Sequence, residues 1–123
     1  MFEISVEETF AAGHSLRNYH GKCEKVHGHN YKVQVTLEGE TLNEAGLLVD
    51  FVDLKRLLHA AVDRLDHEFL NDIPPFDLLN PSAENMAKYF HEEVSKGLAS
   101  EGGVRIACVR LWETDTSTAT YRP

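Results

Sequence analysis

Long apolar runs, cysteine and an excess of positive charge are what this sequence has least of. No stretch approaches the roughly 20 apolar residues that a membrane-spanning helix requires, which argues against a membrane partner. The first residues lack the basic start and apolar block of a signal peptide, so we expect a cytoplasmic protein. In a reducing cytosol its two cysteines, Cys23 and Cys108, are expected to be free thiols.

The net charge of −8 argues against nucleic acid as the main partner. The segment from Arg17 to Lys32 departs from this balance, because it carries four cations and one anion, a local net charge of +3. Such a patch suits an anionic small-molecule substrate. It is equally compatible with a solvated loop that happens to be basic.

A length of 123 residues, 42% of them hydrophobic and 26% charged, predicts a single domain over residues 1–123. Hydrophobic periodicity predicts six elements in the order β-β-α-α-β-β. They are strands 2–12 and 29–39, helices 51–65 and 83–98, and strands 104–113 and 118–122. Asp50 and Ser82 are the expected N-caps of the helices. The pattern predicts an α+β fold with a four-stranded antiparallel sheet and two antiparallel helices on one face.

The strand patterns also predict which side chains share a face. In the second strand, one face consists of Tyr31, Val33, Val35 and Leu37. In the third strand, alternation assigns Val104, Ile106, Cys108 and Trp112 to one face and Ala107, Val109, Leu111 and Glu113 to the other. Cys108 is therefore predicted to be an inert core residue.

Three histidines near the N-terminus indicate a metal site. His27 and His29 are two residues apart at the start of the second strand, so their side chains share a face, roughly 7 Å apart along the chain. Gly28 between them allows a bend or a close backbone approach. With His14 from the preceding strand, they would give three nitrogen ligands and leave one position open, as in catalytic zinc sites.

Cys23 leaves two interpretations open. As a fourth ligand it would make the site a structural zinc site. As a thiolate near a metal and several cations, it would instead serve as a base or nucleophile.

Two further groups could take part in chemistry. Asp66 precedes His67 at the end of the first helix and could orient or charge the imidazole, unless the pair is merely a polar helix end. Glu113 ends an apolar strand and could accept two parallel hydrogen bonds from an amidine-like ligand group, unless it is exposed to water. His59 and His91 lie off the apolar helix stripes and are expected to face solvent without a role.

Several short motifs occur together, in order, along the chain. They are His14, Cys23 to Tyr31, Val49-Asp50-Phe51, Leu65-Asp66-His67, Asn80 to Asn85 and Trp112-Glu113-Thr114. In combination they resemble the 6-pyruvoyl-tetrahydropterin synthase and 6-carboxytetrahydropterin synthase family over nearly the whole length.

The resemblance implies a fold, an assembly and a substrate. The expected fold is the tunnelling fold, in which subunits join their sheets into a trimeric barrel and two trimers stack as a homohexamer. The expected substrate is 7,8-dihydroneopterin triphosphate, bound at subunit interfaces.

The resemblance also implies roles for individual residues. Zn²⁺ would be held by His14, His27 and His29. Cys23 would be the proton-abstracting base, with Asp66 and His67 completing a proton relay. Glu113 would anchor the pterin ring, and Thr114 and Lys22 are the further residues expected to bind substrate.

Spacing within the family motif favours one branch. Three residues separate Cys23 from His27, which resembles the 6-carboxytetrahydropterin synthases of queuosine and deazapurine biosynthesis, whereas 6-pyruvoyl enzymes typically have a longer gap. A third subgroup releases 6-hydroxymethyl-dihydropterin and relies on a glutamate in this region. Here Glu24 follows Cys23, but the cysteine is kept. The alternatives are the 6-pyruvoyl activity, a non-catalytic structural zinc module and an unrelated zinc hydrolase.

Overall fold

A computed structural model describes residues 1–21, 24–98 and 103–123. Its elements are β1 (Phe2–His14), β2 (His27–Gly39), α1 (Phe51–Asp63), a single 3₁₀ turn (Leu70–Asp72), α2 (Ala83–Gly97), β3 (Arg105–Thr114) and β4 (Ser117–Tyr121). The strands form one antiparallel sheet in the order β1-β2-β3-β4. The α+β fold and the β-β-α-α-β-β order are confirmed. Within the described residues, no helix is long and apolar enough to cross a membrane.

The first hairpin is longer than predicted at its open end. β1 continues through His14 and β2 starts at His27, so each strand extends two residues beyond its predicted end. The ladder extends because Gly13 pairs with Gly28 and His14 pairs with His27. A Cβ at Gly28 would make only an ordinary contact, 3.6 Å from the Ala12 oxygen, so the predicted close backbone approach is not found there.

The core lies between the helices and the inward face of the sheet. The predicted β2 face is confirmed, since Tyr31, Val33, Val35 and Leu37 are all buried. Helix α1 contributes Leu54, Leu58, Ala61 and Val62, and α2 contributes Met86, Ala87, Tyr89, Phe90 and Val94. Full burial of one aliphatic side chain contributes roughly 1.5–3 kcal/mol, so these layers supply much of the stability of the fold.

The predicted faces of the third strand are wrong before Cys108, at Val104 and Ile106. Thr36 pairs with Cys108, but Leu37 pairs with Ile106, so Ala107 is an extra residue in a β-bulge. The bulge returns Ile106 to the inward face, where it is buried with Val109 and Leu111. Cys108 is half-buried on the opposite face of the sheet and does not belong to the core.

Both predicted helix caps are confirmed. The Asp50 carboxylate accepts the Val52 N–H at 2.9 Å, and the Ser82 hydroxyl accepts the Asn85 N–H at 3.2 Å. Each bond satisfies an N–H that has no partner inside the helix. Helix α1 ends at Asp63, two residues earlier than predicted, and α2 ends one residue earlier.

Candidate active site

The open end of the first hairpin brings the three histidines together. His14 is the last residue of β1 and His27 the first of β2, and they face each other across the ladder. His29 lies two residues further along β2 on the same inward face. One ring nitrogen from each residue lies within 4.8 Å of the other two. His14 is completely buried, and the other two are half-buried.

Backbone carbonyls orient two of the three rings. His14 Nδ1 is 2.8 Å from the Pro81 oxygen, and His27 Nδ1 is 2.7 Å from the Lys25 oxygen. A carbonyl oxygen can only accept, so each Nδ1 must carry the hydrogen and donate it. In the neutral imidazoles, both Nε2 atoms therefore carry lone pairs, and they lie 2.9 Å apart.

This arrangement fits a transition-metal ion. Two Nε2 lone pairs face each other, and among the described residues the buried Nε2 of His29 has no hydrogen-bond partner. Converging lone pairs repel one another unless a cation lies between them. Burial lowers the pKa of His29; the other two imidazoles act in the same direction and Glu113 opposes it. His29 therefore favours the neutral form, which is the one that binds metal. Imidazole suits zinc, copper, iron and nickel, so the ligand set alone leaves the metal open.

Glu113 lies against the histidine cluster because of a second irregularity in β3. The pairing with β4 shifts between Trp112 and Thr114, and the bulge re-aims the Glu113 side chain. Its Oε1 lies 3.3 Å from His14 Nε2 and 3.5 Å from His29 Nε2. When His14 is protonated, its Nε2–H donates to Glu113 and lowers the pKa of that carboxyl, and the positive charge of protonated imidazoles acts in the same direction against the effect of burial. The site thus combines three imidazoles with an ionised carboxylate.

Tyr31 is part of the site, although the sequence assigned it only to the core. Its hydroxyl lies 3.2 Å from His14 Nδ1, where the oxygen can accept a share of the hydrogen donated to Pro81. Burial raises the pKa of Tyr31, which keeps the phenol neutral. Its place two residues beyond His29 on the same strand face was the signal in the sequence.

Asp66 and His67 are positioned by the free edge of β1. The His67 N–H donates to the Ala11 oxygen at 2.6 Å, and the Ala11 N–H donates to Asp66 Oδ1 at 3.0 Å. His67 has φ of +61°, a left-handed conformation uncommon outside glycine, which these bonds hold in place. The Ala11 N–H, followed by the contact with His67, lowers the pKa of Asp66.

The Asp66–His67 pair is separate from the histidine cluster but opens onto the same cleft. Asp66 Oδ1 lies 2.9 Å from His67 Nδ1, and the His67 side chain is 82% exposed. A cleft of 390 Å³ is lined by both His29 and His67. Glu113 lines a second cleft, of 400 Å³, with the start of α2 and with β4.

Of the three other residues expected in the site, the structure describes only Thr114. Thr114 is exposed at the end of β3, where its hydroxyl accepts the Thr116 N–H at 3.3 Å. Lys22 and Cys23 lie outside the described residues. His59, which was expected to face solvent without a role, is exposed and forms a 2.6 Å contact with Glu8 on β1.

The chain is similar in sequence to known proteins along most of its length. The sequence profile of the family described as 6-pyruvoyl tetrahydropterin synthase matches residues 3–123. The chain is 35% identical to the 6-carboxy-5,6,7,8-tetrahydropterin synthase of Bacillus subtilis over 129 residues, covering 99% of this chain and 86% of the relative. It is 34% identical to the dihydroneopterin monophosphate aldolase of Pyrococcus furiosus over 110 residues, covering 89% of this chain and 88% of the relative.

A solved structure supports the same grouping. The 6-pyruvoyl tetrahydropterin synthase of Caenorhabditis elegans superposes with a TM-score of 0.89 at 27% sequence identity. The match covers 99% of this chain and 95% of the nematode protein.

Proposed function

The chain belongs to the 6-pyruvoyl tetrahydropterin synthase family, and on that premise we propose that it converts 7,8-dihydroneopterin triphosphate to 6-carboxy-5,6,7,8-tetrahydropterin. Water is the co-reactant: triphosphate is eliminated, and cleavage of the side chain adds the oxygen of water to the carboxyl carbon and releases acetaldehyde. The carboxylated pterin feeds queuosine and deazapurine biosynthesis. The observation that carries the proposal is the convergence of three histidine nitrogens beside an ionised carboxylate. The three-residue gap between Cys23 and His27 selects this branch.

We propose zinc as the metal, held by His14, His27 and His29. Three protein ligands leave a coordination position for substrate, which distinguishes catalytic from structural zinc sites. When bound, zinc supplies Lewis acidity that lowers the pKa of the side-chain hydroxyls of the substrate. The Nδ1–H bonds of His14 and His27 to carbonyl oxygens support this assignment, because metal-binding histidines usually donate their other ring hydrogen to such an acceptor.

The proton transfers are assigned to Cys23, Asp66 and His67. The Cys23 thiolate removes a proton from the substrate side-chain carbon, and His67 transfers the matching proton. Asp66 supports this role of His67 because the low pKa of Asp66 keeps a negative charge 2.9 Å from the imidazole. The shared cleft of His29 and His67 supports a substrate that contacts both.

Glu113 is proposed to anchor the pterin ring. An ionised carboxylate can accept two parallel hydrogen bonds from the 2-amino and N3–H edge of a pterin, and charge-assisted bonds of this kind are the stronger ones. The low pKa of Glu113 supports the required charge state. Thr114 is adjacent, and Lys22 lies in the basic segment that would receive the triphosphate.

We also propose a cytoplasmic homohexamer, a dimer of trimers. The sheet has β1 and β4 at its edges, and unpaired strand edges favour pairing with another chain. Pairing of these edges between subunits would build the trimeric barrel of the tunnelling fold.

Product identification tests the proposed function directly. Zinc-loaded protein is incubated with 7,8-dihydroneopterin triphosphate, and the products are separated and identified by mass spectrometry. We expect 6-carboxytetrahydropterin and acetaldehyde in equal amounts, and neither product with His27→Ala. The variant His91→Ala is the matched control, since His91 lies on α2 and contacts Tyr121 rather than the cluster.

Other products would overturn the proposal in different ways. 6-Pyruvoyl-tetrahydropterin would establish the runner-up activity, which the likeness to the nematode structure favours. 6-Hydroxymethyl-dihydropterin would indicate an aldolase activity, in line with the Pyrococcus relative. No turnover by a protein that binds zinc would indicate a structural zinc module.

A further inference from the structure

The segment that follows β1 is held by two asparagine side chains. Asn71 accepts the Ser15 N–H at 2.9 Å and donates to the Ser15 oxygen at 2.9 Å. Asn80 makes the same pair of bonds with Arg17, at 2.9 Å and 3.0 Å. A side-chain amide presents one donor and one acceptor in a plane, so each asparagine matches the backbone groups of one extended residue.

Asn80 is also fixed through its own backbone. Its carbonyl oxygen accepts the Ser82 N–H at 2.8 Å and the Asn85 side-chain amide at 2.9 Å. Both donors belong to the first turn of α2 or its cap. Asn80 therefore connects the segment after β1 to the start of a helix that is packed into the core.

The next residue along the chain contacts the metal centre. Pro81 is buried, and its carbonyl oxygen accepts the hydrogen of His14 Nδ1 at 2.8 Å. His14 lies three residues before Arg17, so Asn80 holds both the backbone that carries the imidazole and the carbonyl to which the imidazole donates. The bonds close a short ring from His14 through Arg17, Asn80 and Pro81 back to His14.

We propose that Asn80 is a positioning residue for the metal centre. It keeps the Pro81 oxygen aligned with His14 Nδ1, which fixes the hydrogen on Nδ1 and leaves the Nε2 lone pair free toward His27. If this alignment is lost, the hydrogen can move to Nε2, where it blocks the ligand atom. The inference rests on the proposed metal centre and adds to it a residue that touches neither metal nor substrate.

The test compares three asparagine variants of the full chain. Asn80→Ala removes the bonds to Arg17. Asn71→Ala removes an equivalent pair from the same segment but leaves the chain before Pro81 intact. Asn43→Ala removes two backbone bonds, from Ala45 at 2.9 Å and from Leu47 at 3.1 Å, in a loop outside the site. The zinc dissociation constant is measured by competition with a chromophoric chelator, and metal-free Tm is measured in parallel.

We expect Asn80→Ala to weaken zinc binding by about 10–100-fold, the effect typical of losing an outer partner of a metal ligand. Asn71→Ala should lower the metal-free Tm about as much as Asn80→Ala does, but it should weaken zinc binding clearly less. Asn43→Ala should leave zinc binding unchanged. Nitrogen-15 NMR of the metal-free protein should show the His14 hydrogen on Nδ1 in wild type and distributed over both nitrogens in Asn80→Ala.

The inference is overturned if Asn80→Ala binds zinc like wild type, or if Asn71→Ala weakens binding equally. Should Asn80→Ala not fold, Asn80→Asp keeps the acceptor for the Arg17 N–H and is measured instead, with the same expected direction. Wild type that binds zinc no more tightly than His27→Ala would remove the metal centre itself and this inference with it. If wild type binds zinc tightly and Asn80→Ala binds it equally tightly, only the role of Asn80 is overturned and the proposed metal centre stands.

Discussion

The two ends of the β1–β2 hairpin differ in chemistry although they share one sheet face and one antiparallel ladder. At one end the inward pairs are aliphatic, Val6 with Val35 and Ile4 with Leu37. At the other end Ala12 lies opposite His29, and His14 lies opposite His27. The backbone is the same regular ladder throughout, so the difference lies in the side chains and in what surrounds them.

The two ends of the hairpin contribute to different properties, stability at the aliphatic end and chemistry at the histidine end. Burial of aliphatic side chains is favourable by itself, whereas a buried polar group is destabilising unless it is hydrogen-bonded. At the histidine end, Pro81 and Lys25 satisfy one nitrogen of His14 and of His27, while the converging nitrogens are left for a cation. Burial thus stabilises the aliphatic end directly, whereas the proposed metal ion would complete the histidine end.

The largest effect is expected from His27→Ala at the histidine end. The loss of one of three ligands should reduce zinc affinity by roughly a hundredfold or more, because each ligand contributes a substantial share of the binding free energy. Zinc content after dialysis should fall to near zero, while the metal-free Tm stays close to that of wild type. Unchanged zinc content would contradict the ligand assignment, and His91→Ala serves as the control.

Cys23→Ala tests whether the proposed zinc has three protein ligands, with Cys23 acting as a base, or four, with Cys23 as a ligand. As a general base, Cys23 should account for about 10²–10⁴-fold in turnover, with zinc content unchanged. Steady-state kinetics and metal analysis of the same preparation measure both quantities. Loss of zinc together with turnover would make Cys23 a ligand, and full activity would remove it from the mechanism.

Leu37→Ala, at the aliphatic end, should lower the free energy of unfolding but leave zinc affinity unchanged. Leu37 is fully buried, and truncation of such a leucine costs about 2–5 kcal/mol of unfolding free energy. Denaturant titration of the metal-free protein measures this loss. Zinc affinity of the folded variant should remain that of wild type, and a parallel fall in affinity would show that the two ends are not independent. Leu37→Val gives a smaller step in the same direction.

The smallest effect concerns a histidine outside both ends. Glu8, through its 2.6 Å hydrogen bond, raises the pKa of exposed His59, whereas burial lowers that of His29. A raised pKa stabilises the fold below the unfolded value of about 6.5, and this contribution is lost as pH rises through the folded pKa. Glu8→Gln should lower the His59 pKa in an NMR titration, and the stability difference from wild type should disappear at high pH. An unmoved His59 pKa would contradict the pairing.

Local signals made most of the fold predictable. The alternation from Tyr31 to Leu37 and the caps Asp50 and Ser82 depend on neighbouring residues alone, and they are confirmed. The bulge at Ala107 depends on how β3 meets β2, and a regular alternation contains no trace of it. The glycine- and histidine-rich ends of the hairpin have weak strand propensity, so only their pairing across the ladder reveals them as strand.

The site was predictable to the level of side-chain type and spacing. A spacing of two positions from His27 to His29 along a strand suffices to place both imidazoles on one face. The carbonyl oxygens of Pro81 and Lys25 have no signature in sequence, because every residue has a carbonyl. The bond from the Ala11 N–H to Asp66 joins residues 55 positions apart, and only the folded chain brings them together.

X-ray absorption spectroscopy of the zinc-loaded wild-type protein tests the central claim most directly, since it reports the atoms bound to zinc. An open site built from His14, His27 and His29 predicts one zinc per chain, three imidazole nitrogens at about 2.0–2.1 Å and one further oxygen, with no sulfur. A sulfur at about 2.3 Å would mean that Cys23 closes the site as a structural ligand, and would contradict the catalytic assignment.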